Sequence, residues 1–121
     1  MLPAAHRLTD AANFSDTVRS GRRAGSRALV VHVRVVEGST DPVRVGLVVS
    51  KAVGNAVTRT RVKRRLRHQV AAHLPDLPAG TTVVLRALPP AADASSAELA
   101  QELGAGLTRC LGRTREMTAM P

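Results

Sequence analysis

The chain has 121 residues, with 18 Lys+Arg against 9 Asp+Glu and a formal net charge of +9. Its 44% apolar residues suffice for one globular core, which excludes wholesale disorder. No apolar run reaches the ~18 residues of a membrane span, no apolar segment near the N-terminus reads as a secretory signal, and the lone Cys110 excludes an internal disulfide or a Cys-rich zinc site.

Taken in chain order, residues 1–8 read as a loose arm. Thr9 or Asp10 can cap a helix that runs to about Ser20, with Ala11, Phe14 and Val18 on one side and Gly21 as its stop. Residues 27–36 alternate as a strand: Leu29, Val31, Val33 and Val35 face one way, His32 and Arg34 the other. A Gly- and Pro-containing turn over 37–42 leads to a second strand over 43–50, expected as a hairpin partner of the first. Asn55 is an N-cap candidate for a helix that reaches His73 or Leu74. In it Val62, Leu66, Val70 and Leu74 form a stripe, Arg61, Arg64, Arg65 and His68 fall opposite, and Lys63 and Arg67 flank. Residues 75–80 are a turn and 81–88 a third strand, ended by Pro89-Pro90. Residues 95–112 close the fold as a helix with Ser95 or Ser96 as cap, Glu98 as capping-box partner and leucines at 99, 103, 107 and 111 against the sheet. Gly104 and Gly106 either weaken it or permit close packing, and 113–121 read as a frayed tail. The whole is expected to be a single domain over 1–121.

The charge is concentrated. No acid lies between Asp41 and Asp76, yet that stretch holds eight Lys/Arg, six of them between positions 59 and 67. With no carboxylate to neutralise it, such a run points to a polyanion. Arginine suits phosphate because its planar fork donates two hydrogen bonds at once. The Gly54-Asn55 turn adds free backbone N–H groups at a helix start. Catalytic chemistry is harder to find. The acids are scattered, and the pair Glu98/Glu102 reads as a solvated helix face. His68 and His73 are five apart, off the i, i+4 register of two ligands on one helix face. Cys110 reads as a small buried residue, and no nucleophile–base pair is evident.

The segment from Val48 to Arg67, VVSKAVGNAVTRTRVKRRLR, resembles the signature of the bacterial ribonuclease P protein family. The matching positions are Ser50, Lys51, Gly54, Ala56, Val57, Arg59, Arg61, Lys63, Arg64 and Arg67. Leu2-Pro3, Arg7-Leu8, Phe14 and Gly21 resemble the family's N-terminal pattern, so the likeness covers about residues 2–112. Two departures are visible. Thr60 stands where the family usually has Asn. Only Phe14 remains of the aromatic residues that commonly line a cleft, with Val18 and His32 at positions that are often aromatic.

The resemblance implies an α+β sandwich in the order α-β-β-β-α-β-α, with a central mixed sheet and a left-handed β-α-β crossover, as in the second domain of a small-subunit ribosomal protein. It implies a cytoplasmic protein, monomeric in its holoenzyme, that binds ribonuclease P RNA. That RNA would cleave the 5′ leader from precursor tRNA with Mg2+ held by the RNA rather than by a protein ligand set. The expected catalytic residues and metal ligands of the chain itself are none. The expected ribozyme contacts are Lys51, Asn55, Arg59, Thr60, Arg61, Lys63, Arg64, Arg65 and Arg67. The leader is expected along Phe14, Val18, His32 and Arg34, with Val48 and Arg86 as weaker candidates. The competing reading is a non-enzymatic basic RNA-binding protein, such as a ribosomal protein or RNA chaperone, and the 48–67 motif argues against it. A DNA-binding module is disfavoured because no helix lies a short turn before the basic one, and membrane is not an expected partner.

Overall fold

The computed structural model describes Leu2 and residues 4–119, with side chains described up to 112. The elements run α1 (Ala11–Ser20), β1 (Arg22–Gly25), β2 (Leu29–Val35), β3 (Arg44–Val48), α2 (Ala56–Ala71), β4 (Thr81–Ala87) and α3 (Ser96–Ala119). Short 3-10 turns sit at Ala4–His6, Leu74–Asp76 and Pro89–Ala92. The sheet order is β1-β2-β4-β3, with β3 parallel to β4 and the other pairs antiparallel. This is the expected α+β arrangement around a mixed sheet, and β3–α2–β4 is its parallel crossover.

One expectation about the sheet is corrected. The strand over 44–48 does not pair with β2 as a hairpin; β4 lies between them, from Leu29↔Ala87 to Val35↔Thr81 on one side and Arg44↔Thr82 to Val48↔Arg86 on the other. The physical reason is β4 itself. Val83, Val84 and Leu85 point to both faces and are at most 1% exposed, so this strand gains most by taking the centre, where both faces and both ladder edges are covered. The expected order has three strands before α2, and the first of them is β1, a strand that residue patterning does not reveal. It is four residues long, reads Arg-Arg-Ala-Gly, and buries only Ala24.

The two faces are covered unequally. Leu29, Val31 and Val33 of β2 join Val45, Val83 and Leu85 and the α2 stripe Val62, Leu66 and Val70 in one core with Leu99, Leu103 and Leu107 of α3. Cys110 is buried there, its sulfur 3.9 Å from the Val31 carbonyl oxygen. A Cβ on Gly106 would come within 2.7 Å of the Val31 side chain, so this glycine is what lets α3 approach β2; Gly104 meets only His73, at 3.9 Å. The capping box forms as expected: Glu98 N–H donates to Ser95 Oγ at 3.1 Å and Ser95 N–H to Glu98 Oε1 at 3.3 Å. Glu102 is more than a solvated acid. Its Oε1 accepts from Ser26 Oγ at 2.6 Å and from the Ala28 N–H at 2.8 Å, tying the β1–β2 turn to α3.

The helix α3 continues through Ala119, beyond the expected end at 112, and 120–121 of the expected tail lie outside the described residues. The opposite sheet face carries α1, which is capped by Asp10 Oδ1 accepting from the Ala12 N–H at 2.9 Å. The segment read as an arm docks along the free edge of β3. Leu2 is buried, His6 Nδ1 lies 2.6 Å from the Val43 carbonyl oxygen, and the Leu8 N–H donates to Val45 O at 3.0 Å. Covering this edge removes a row of unpaired backbone groups.

Candidate nucleic-acid interface

The basic segment starts where β3 ends. The chain turns over Ser50–Gly54, with the Val53 N–H on Ser50 O and the Gly54 N–H on Lys51 O, and buries Val53 beneath. Lys51 is left exposed on the turn. Asn55 Oδ1 then accepts from the Thr58 N–H at 2.9 Å, so its side chain is spent on capping α2. With Val62, Leu66 and Val70 fully buried, the helix turns Thr60, Arg64 and His68 outward, all exposed.

The remaining cations lie on two flanks. On one, Arg61 Nη2 donates to Ala92 O at 3.0 Å, Arg65 Nη1 to Ala94 O at 2.9 Å and Gln69 Nε2 to Ser96 O at 3.2 Å. Donors four residues apart on α2 thus meet carbonyl oxygens two residues apart in the 92–96 segment. Arg65 is therefore half-buried against the loop rather than free on the opposite sector. Gln69, which sequence reasoning missed, completes this ladder. On the other flank Lys63 and Arg67 line a hollow of about 510 Å³ with Arg7, Leu8, Thr9 and the β3 edge. Arg59 is half-buried, with its Nε out of solvent and unpartnered.

A second hollow, about 350 Å³, opens on the α1 face of the sheet. It is lined by Phe14 and Val18 of α1, Arg23 of β1, Val30 and His32 of β2, Val48 of β3 with Ser50 beyond it, and Val84, Arg86 and Ala87 of β4. Phe14 reaches the sheet because Gly46 lies beneath it: a Cβ there would sit 3.0 Å from the ring. The structure thus brings Phe14, Val18 and His32 together and adds Val48 and Arg86, which the register places on this face. Arg34 is corrected. It shares a β2 face with His32, yet α1 lies between them, so Arg34 lines a separate hollow of about 300 Å³ and its Nη1 donates to Asn13 Oδ1 at 3.3 Å. Arg23 was missed because it sits on the missed strand β1.

His32 is only 6% exposed, and its Nδ1 is buried with no hydrogen-bond partner. Burial, then the charges of Arg23 and Arg86, hold the ring below the ordinary histidine value of 6.5. At neutral pH the cleft therefore presents two guanidinium groups and one uncharged imidazole over an aliphatic floor. Among the described residues no three His, Cys, Asp or Glu side chains are grouped so as to hold a metal ion. No helix among them is long and apolar enough to cross a membrane.

A basic helix on one side of a mixed sheet and a cationic, stack-capable cleft on the other define an RNA-binding α+β protein. Comparison with known proteins narrows the class. The family model for ribonuclease P matches residues 2–111, and the chain belongs to that family. It is 57% identical over 114 residues to the ribonuclease P protein component of Nocardioides sp., covering 93% of this chain and 94% of that one. It is 54% identical to that of Streptomyces griseus over 121 residues, covering 93% and 97%. Among solved structures, the RNase P protein of Staphylococcus aureus matches with a TM-score of 0.76 at 28% identity, covering 86% of this chain and 94% of that one. The Thermotoga maritima RNase P protein shares the fold, with a TM-score of 0.67, 21% identity and coverage of 80% and 90%. The reading as a ribosomal protein or chaperone is not favoured by these matches.

Proposed function

We propose that the chain serves ribonuclease P by holding two RNA segments at once. The α2 side, with Lys51, Arg59, Thr60, Arg61, Lys63, Arg64 and Arg67, grips the catalytic RNA, while Arg65 is held on the 92–96 loop. The cleft formed by Phe14, Val18, His32, Val48 and Arg86 holds the single-stranded 5′ leader of precursor tRNA. The observation that carries this is continuity. Val48 and Ser50 line the cleft, and the chain passes from Ser50 straight into Lys51 and the α2 cap at Asn55. A strand lying in the cleft is thereby led toward the basic helix. Arginines and aliphatic side chains grip backbone and base faces rather than base edges, which suits a leader of varied sequence.

Cleavage belongs to the RNA, with Mg2+ bound by it. Three of the chain's carboxylates are engaged in fold roles: Asp10 and Glu98 cap helices, and Glu102 fastens a turn. Among the described residues none are grouped so as to hold a metal ion, and no step runs through a protein-held ion. The protein works as a monomer within the cytoplasmic holoenzyme. Reconstitution tests the reading: protein, a bacterial ribonuclease P RNA and 5′-extended precursor tRNA are combined at low Mg2+, with each component also tested alone. Cleavage is expected only when the RNA is present and is stimulated by the protein. Cleavage by protein alone, or tight RNA binding without stimulation, overturns it.

A further inference from the structure

We propose that His32 couples occupancy of the cleft to proton uptake: an RNA phosphate seated between Arg23 and Arg86 turns the imidazole into a third cation of the site. This rests on the reading that the cleft takes single-stranded RNA.

The geometry around the ring is one-sided. Arg23 stands directly opposite His32 across the β1–β2 ladder, and Arg86 follows Val84, the residue paired with His32 on β4, by one step along that face. The elements α1 and β3 bring only Phe14, Val18, Val48 and Ser50, none of which titrates near neutrality. No carboxylate lines the cleft. The free protein therefore has nothing to balance an imidazolium and, at the buried Nδ1, no acceptor for a second N–H.

A phosphate supplies the missing charge balance. It offsets the two guanidinium groups, and its oxygens, or a base acceptor beside them, can receive the N–H at Nε2, the ring nitrogen not closed off from the cleft. The balance is simple. The neutral ring takes one proton from solvent as the anion enters and returns it as the anion leaves. Between the two titration midpoints, RNA binding and proton binding then strengthen each other by the same factor. A non-titrating ring at this position would stack equally well and lack the linkage.

The test is a histidine titration by NMR on the full chain, with and without saturating oligouridylate, whose bases do not titrate between pH 5 and 8. The His32 ring signal is assigned by its loss in His32→Gln, with the other three histidines as references. The methyls of Val18, Val48 and Val84 report whether the cleft is filled. The expected result is methyl shifts together with a rise of about one unit or more in the His32 midpoint. Affinity should tighten about three- to tenfold from pH 7.5 to 5.5, and the change should vanish in both His32→Gln and His32→Phe. Methyl shifts with an unmoved His32 midpoint overturn the proposal and leave the leader cleft standing. The same tightening in the two variants does so as well. RNA binding without methyl shifts overturns the leader cleft and the proposal with it.

Discussion

At the scale of single residues, several side chains do work that their type does not announce. Glu102 accepts two hydrogen bonds from the 26–28 turn through one oxygen. Replacing it by Ala strands the Ala28 N–H and should cost about 1–3 kcal/mol in chemical denaturation; a loss below a few tenths would mean water replaces it fully. His32 has a clear sign. Its folded value lies below the unfolded 6.5, so the folded state binds fewer protons. The stability it contributes is complete above pH 6.5 and is lost as pH falls from there through the folded value. Unfolding free energies at pH 7.5, 6.5 and 5.5 should show that acid loss, and His32→Phe should reduce it. Gly46 is the third case. Gly46→Ala puts a methyl 3.0 Å from both Phe14 and Leu8, and the expected effect is a displaced ring with about 1–3 kcal/mol lost, seen as a lower melting temperature and weaker leader binding.

At the scale of elements, α2 divides its cations between two tasks. Arg64 is exposed, with the helix beneath it fixed by the buried Val62, Leu66 and Val70. Arg65 donates to Ala94 O and is half-buried. Arg64→Ala should therefore lower the slope of log affinity against log salt by about one counterion. Arg65→Ala should mainly cost stability, by about 1 kcal/mol, and leave that slope nearly unchanged. Salt titrations of RNA binding at matched temperature separate the two, and equal slope losses would place both guanidinium groups on phosphate. The helix is also open to core damage: Leu66→Ala should cost about 2–5 kcal/mol, since Leu66 is fully buried.

At the scale of the whole molecule, the sheet separates the basic helix from the cleft and then joins them at one corner. The α2 and α3 core occupies one face, the cleft beside α1 the other, and the end of β3 carries the chain from cleft to basic turn. The docked 4–8 segment adds Arg7 to the Lys63–Arg67 hollow while covering the β3 edge. Every strand register here fixes which cations meet. A one-residue slip of β4 would turn Arg86 to the packed face and Leu85 into the cleft, so the cleft and the hydrophobic core are set by the same pairing.

Local pattern alone determined a good deal of this protein. The α2 stripe, the Asn55 and Asp10 caps, the Ser95–Glu98 capping box and the inward Leu29, Val31 and Val33 all follow from side-chain period and short-range hydrogen bonding, which act within a few residues. The acid-free run from 42 to 75 marked the basic segment of α2, and the 48–67 motif marked the family. Tertiary structure decided the rest, because it turned on partners distant in the chain. The insertion of β4 between β2 and β3 depended on burial summed over both faces, not on loop length. β1 exists only as an edge laid on β2, its own four residues having almost no apolar pattern, and Arg23 enters the cleft with it. Arg34 left the cleft because α1 crosses the face between it and His32. Arg65 left the free surface because the loop at 92–96 offers carbonyl oxygens at the helix's own repeat.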